Sequence, residues 1–164
     1  MTAHIFGDKN VLAIECECTS TIDDWVYGRI LLWVRGEQVG NPEDAADLKG
    51  CRSWLREFVE EPRNRFEKFM KGQTPEKLFA LLHEPVMAGG SGLEATEDAF
   101  ARFNIGHLGM SSFDRYDILL VEDPEAGQRL LWREGDGAIQ HAYLPANSIQ
   151  SVASECLHWM TTAF

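Results

Sequence analysis

The spacing of apolar residues at the start of the chain predicts β-structure. Between residues 11 and 18, apolar and cysteine side chains alternate with glutamates, which is the two-residue period of a strand with one buried face. A second run, from Trp25 to Val34, is rich in aromatic and β-branched residues and predicts a strand antiparallel to the first. Gly7–Asn10 is typical of a hairpin turn, and a reversal at Gly36 leads into a short further strand. The first third of the chain is therefore predicted to be a meander.

A three- and four-residue period replaces this alternation after Gly40 and predicts a helix. Its apolar positions are Leu48, Cys51, Leu55, Phe58 and Val59. Asp44 or Asn41 is suited to cap its start, and Pro62 limits its end.

Two further helices are indicated by their start signals. Thr74 precedes a proline, as an N-cap precedes the first helical position, and this helix is expected to stop before Pro85. The segment before it, residues 63–71, mixes aromatic with basic side chains and predicts a helical connector packed on the core. The helical period recurs behind Asn147 or Ser148 and predicts a closing C-terminal helix.

The strand period returns in residues 101–145, where four strands are predicted, the first of them in "RFNIGHLG". Gly135–Gly137 is typical of a hairpin turn between the last two, and the glycines of residues 87–92 predict a mobile loop. The order of strands, helices, strands and helix favours the α+β class. We expect an antiparallel β-sheet of two meanders, with helices packed on one face and a closing C-terminal helix, in a single domain over residues 1–164.

The formal net charge of −11 narrows the classes of partner. A strongly acidic chain repels phosphate backbones, so direct binding of nucleic acid is disfavoured and a cationic protein is the complementary partner. No apolar run approaches the length of a membrane span, and the first residues lack a secretory leader, so we expect a cytoplasmic protein. The sequence gives no indication of oligomeric state.

One polar stretch, "GHLGMSSFDRYD" at residues 106–117, contains the parts of a hydrolase site. His107 with Ser111 or Ser112 would be the catalytic pair of a small hydrolase, which is one alternative function. The stretch has no G-x-S-x-G elbow, however, and small polar residues also shape turns, so a turn between two strands is the favoured interpretation. The four cysteines form no C-x-x-C and no histidines share a helical i, i+4 spacing, so neither a metal site nor a cofactor is predicted. A ligand-binding regulatory domain is the other alternative.

The whole pattern resembles the immunity protein 42 family of bacterial polymorphic toxin systems. The resemblance lies in "FGDKNVLAIECE", the "YGR" and "WVRGEQVG" meander, "HLGMSSFDRYDILLVED", "LLWR" and the closing helix. It implies a cytoplasmic α+β protein without catalytic activity that binds a cognate toxin and blocks it. An acidic inhibitor of this kind would suit a toxin with a basic cleft, such as a nuclease, whose active site it would occlude.

The resemblance supplies no binding residues, so the predicted contact surface depends on expected exposure alone. Acidic residues beside a strand entry and beyond the glycine loop are the candidates, together with one tryptophan. They are Asp23, Asp24, Trp25, Glu94, Glu97 and Asp98.

Overall fold

The computed structural model describes residues 2–87 and 102–164, and for residues 84–87 it describes the backbone alone. The long helices within those residues are α1 (Leu48–Glu60), α2 (Pro75–Met87) and α3 (Ser148–Ala163). The α+β class with two antiparallel meanders and a C-terminal helix is confirmed.

The internal contacts of the chain group into two compact units. The first comprises Met1–Pro62, His107–Arg115 and Ser148–Phe164, and the second comprises Arg63–Gly106 and Tyr116–Asn147. A single domain over the whole chain stays a prediction.

The first unit contains an antiparallel sheet in the order β1-β2-β3-β4. Its strands are β1 (His4–Asp8), β2 (Leu12–Ile22), β3 (Trp25–Val34) and β4 (Glu37–Val39), and a two-residue strand, β5 (Ala46–Asp47), also pairs with β3. The strand predicted from alternation and the strand predicted from the run of aromatic and β-branched residues are confirmed, as is the hairpin turn after β1.

Helices α1 and α3 pack against each other, and they contact β3 and β2 respectively. One face of the sheet is buried here, and Cys16, Cys51 and Cys156 meet in its core as free thiols. A Cβ at Gly28 would come within 2.5 Å of a Leu48 methyl and closer still to the main chain of β2, so only glycine permits this approach of α1.

The cap of α1 differs from the prediction. Asp47 is the N-cap, and its carboxylate accepts a hydrogen bond from Lys49 N at 3.0 Å. The predicted caps, Asn41 and Asp44, lie in a turn closed by Asp44 N and Asn41 O at 3.3 Å. The prediction placed the start too early because β5 lies between this turn and the helix.

The second unit is built on a three-stranded sheet of β6 (Tyr116–Asp123), β7 (Gly127–Glu134) and β8 (Gln140–Leu144), with α2 packed on β6. The predicted hairpin turn at Gly135 is present. The prediction of a strand in "RFNIGHLG" is wrong, because there only Asn104 pairs with a strand, as an isolated bridge to Leu119. The described part of this meander therefore has three strands where four were predicted.

Two helix predictions in this unit need correction. Thr74 caps α2 as predicted, but the helix continues through Pro85 to Met87. A proline so near the end removes only one hydrogen bond, to the carbonyl of Leu81, which belongs to a partly exposed residue. The helical connector shrinks to one 3-10 turn at Lys68–Met70, because the chain before it follows β6, with Glu122 N donating to Arg65 O at 2.9 Å.

Candidate binding surface

The tip of the β2–β3 hairpin is the most exposed apolar feature of the first unit. Ile22 and Trp25 pair directly across a two-residue loop, and they are 59% and 55% exposed. Asp23 has a φ of 52°, a left-handed conformation that aspartate tolerates better than most residues. The loop sequence therefore builds a tight reversal that leaves two large apolar side chains in solvent.

Strand geometry extends this surface by one aromatic ring. Residues two apart on a strand share a face, so Tyr27 lies beside Trp25, and their rings stack with centroids 6.4 Å apart. A β-bulge between Cys18 and Ser20 places Ser20 opposite Tyr27 and increases the local twist. The apolar tip thus consists of Ile22, Trp25 and Tyr27, called the hairpin tip below together with Asp23 and Asp24.

Farther along the same face the charged groups are already paired with each other. Glu17 accepts a hydrogen bond from Arg29, which raises the pKa of the guanidinium. Glu15 accepts bonds from Lys9 at 2.6 Å and from the Trp33 indole at 2.8 Å. Burial opposes ionisation of Glu15, but these two bonds and the lysine charge outweigh it, so its pKa is lowered. The two glutamates in this part of the sheet therefore already have cationic partners.

The predicted contact residues separate into two groups. Asp23 and Asp24 are exposed and make no ion pair within residues 2–87 and 102–164, and Trp25 stands beside them. Glu94, Glu97 and Asp98 lie outside the described residues, as does the glycine loop after Met87. Ile22 and Tyr27 were missed, although "TIDDWVY" between two strands indicates a two-residue loop with apolar residues on both sides. The role of the tip in binding stays a prediction.

The stretch "GHLGMSSFDRYD" has a structural role that was not predicted from the sequence. It forms a short 3-10 segment, Gly106–Phe113, interrupted at Met110, whose φ is 48°. Strand β3 pairs with β4 from Leu32 onward and with β5 at Tyr27 and Gly28, which leaves the carbonyl of Ile30 between them. The buried Ser112 hydroxyl donates to that carbonyl at 2.6 Å. The stretch is therefore not a turn joining two strands.

The same geometry bears on the hydrolase alternative. Because the Ser112 proton is directed to a main-chain carbonyl, the hydroxyl is not positioned for activation by an imidazole. The His107 ring contacts Trp54 edge-on, with centroids 4.8 Å apart, and in the described part of the chain neither Ser111 nor Ser112 is hydrogen-bonded to it. The residues named for catalysis are thus close in sequence without forming a catalytic pair.

The buried thiols are expected to have low reactivity. Burial raises the pKa of Cys51, and a hydrogen bond with Cys16 together with burial raises that of Cys156. A thiol held protonated is a poor nucleophile and a poor metal ligand.

Across the described ranges, no three His, Cys, Asp or Glu side chains are grouped to hold a metal ion, and no helix is long and apolar enough to cross a membrane.

Comparison with known proteins identifies the family. The model of the immunity protein 42 family, Imm42, matches residues 1–159. The chain belongs to this family. A crystal structure of CdiI from Burkholderia dolosa is similar to this Imm42 chain with a TM-score of 0.77 and 18% sequence identity, covering 95% of this chain and 99% of that one. No curated protein matches the sequence. The resemblance inferred from the sequence motifs is confirmed, and the likeness to CdiI establishes a shared fold.

Proposed function

We propose that this Imm42 protein acts in the cytoplasm, where it binds a cognate bacterial toxin and neutralises it without catalysis of its own. Family membership supports toxin neutralisation. The observation that carries the proposed mode of binding is the hairpin tip, where exposed apolar side chains lie beside two carboxylates that make no ion pair with the described residues. Aromatic anchors rimmed by polar groups are typical of protein interfaces.

The charge of the chain favours a basic toxin. A net charge of −11 accelerates encounter with a cationic partner, and the unpaired carboxylates of the tip would meet basic groups there. A nuclease-type toxin has such a surface because it must hold a phosphate backbone. We infer that the tip enters this cleft and occludes the active site by excluding the substrate.

Co-expression tests the immunity function itself. A toxin gene adjacent to the gene for this chain is expressed with and without the chain, and growth and co-purification are scored. The proposal expects growth to be rescued and the two proteins to purify together. Growth arrest despite well-expressed, folded chain would contradict it.

The tip is tested separately by neutralising its charges. Asp23→Asn with Asp24→Asn keeps residues suited to the turn and removes two carboxylates. Exposed ion pairs contribute about 0.2–1 kcal/mol each, so we expect Kd for the toxin to rise roughly 2- to 30-fold, and less as salt is added. The matched control is Glu60→Gln with Glu61→Gln, two exposed carboxylates at the end of α1. If the tip variant and the control variant bind the toxin with equal affinity, the carboxylates of the tip do not contribute to the interface.

A further inference from the structure

Among the described residues of the second unit, Arg129 is a buried cation without an anionic partner. Arg129 on β7 is 8% exposed, and its Nε and one Nη have no hydrogen-bond partner within residues 2–87 and 102–164. Its only described interaction is with the Tyr143 ring, whose centroid lies 5.0 Å from the guanidinium carbon. Arginine cannot escape this position by losing its proton, as a buried lysine can.

Such an arrangement is costly for the isolated fold. Burying a charge without an opposite charge or a full set of hydrogen bonds is strongly unfavourable. Three other arginines of this unit each have a carboxylate partner. Arg65 pairs with Glu122 at 3.2 Å, Arg102 with Glu67 at 2.9 Å, and Arg133 with Asp117 at 3.1 Å. Arg129 lacks such a carboxylate among the described residues, although the chain has 26 acidic residues against 15 basic ones.

Arg129 also lies next to an open sheet edge. Strand β8 pairs with β7 on one side, and within the described ranges none of its backbone groups bonds to another segment on the other side. Tyr143 pairs with Arg129 across the two strands, so both side chains share one face, and Tyr143 is 60% exposed. An edge with free N–H and C=O groups is a template for a further strand.

We infer that the β8 edge receives an extended strand of the toxin, and that an aspartate or glutamate on this strand pairs with Arg129 while covering Tyr143. A carboxylate is the complementary partner of a guanidinium, and a charge-assisted hydrogen bond between the two is stronger than a neutral one. The inference rests on the proposed function, because the toxin is its partner, and it adds a second contact surface to the hairpin tip.

The test separates stability from binding. Arg129→Met removes the buried charge with little change in volume, so the free protein should keep or raise its Tm, while Kd for the toxin rises at least about tenfold. Tyr143→Ala, at an exposed ring, should fold normally and also weaken binding. Arg115→Met, which removes an exposed arginine, is the control and should leave Kd unchanged.

Three outcomes would overturn the inference while wild-type binding is retained. One is wild-type affinity in both Arg129→Met and Tyr143→Ala. Another is a fall in Tm for Arg129→Met together with normal binding by Tyr143→Ala, which would make the arginine structural. The last is dimerisation of the free chain, measured by light scattering, that Arg129→Met abolishes, since a second copy would then occupy the edge. Failure of the wild-type protein to bind any toxin would instead count against the proposed function.

Discussion

Replacing Ser112 by alanine tests whether the stretch "GHLGMSSFDRYD" has a structural role, through its hydrogen bond to the first sheet. Ser112 is 1% exposed. Its hydroxyl donates to Ile30 O at 2.6 Å, with Asn41 O at 3.2 Å as a second acceptor. Its removal leaves a buried carbonyl without a donor, which costs about 1–3 kcal/mol. For a chain of this length, Tm should fall by roughly 3–10 °C.

The assay is urea unfolding of the free protein followed by tryptophan fluorescence, with toxin neutralisation scored in parallel at 25 °C. Ser111→Ala is the matched control, because the half-buried Ser111 side chain makes no hydrogen bond within the described residues, and its free energy of unfolding should change by less than about 0.5 kcal/mol. Ser112→Ala should still neutralise the toxin. Loss of neutralisation at unchanged stability would contradict a purely structural role for the Ser112 hydroxyl.

Four further predictions follow from individual contacts. Trp25→Ala should raise Kd for the toxin by about 100-fold, because burying roughly 130 Å² of exposed indole is worth about 3 kcal/mol; calorimetry measures it, and a change below fivefold would contradict it. Asp47→Ala should lower the free energy of unfolding by about 1 kcal/mol through loss of the α1 cap. The pKa of Glu15 is lowered on folding, so its ionised carboxylate stabilises the fold above the ordinary carboxyl pKa, and this stabilisation is lost as pH falls through the folded pKa. Glu15→Gln should therefore make the free energy of unfolding depend less steeply on pH in the acid range. In the native protein a thiol reagent should modify the half-buried Cys18 well before Cys51, and equal rates would contradict the raised pKa of the buried thiol.

Local periodicity was sufficient to predict the regular elements. The alternation around Ile14 and the aromatic run from Trp25 placed β2 and β3, and Thr74 marked the start of α2. These features work because the side-chain period and the cap are decided by neighbours in the chain.

Elements that depend on distant partners could not be predicted in this way. Arg65 keeps its segment irregular through Glu122, which is 57 residues away. Ser112 is placed by the carbonyl of Ile30, 82 residues earlier. The polar residues that suggest a turn or a hydrolase therefore supply a hydrogen bond to β3 between β4 and β5. Arg129 gave no sequence signal at all, because an unpaired buried cation differs from a paired one only in its surroundings.

The proposed mode of neutralisation depends on contact between the hairpin tip and a toxin. Amide hydrogen exchange of the chain, measured by mass spectrometry with and without its cognate toxin, tests it without any substitution. We expect the toxin to slow exchange in a peptide spanning Ile22–Tyr27, where the loop amides are open to solvent in the free protein. A complex that forms and leaves exchange in this peptide unchanged would contradict it.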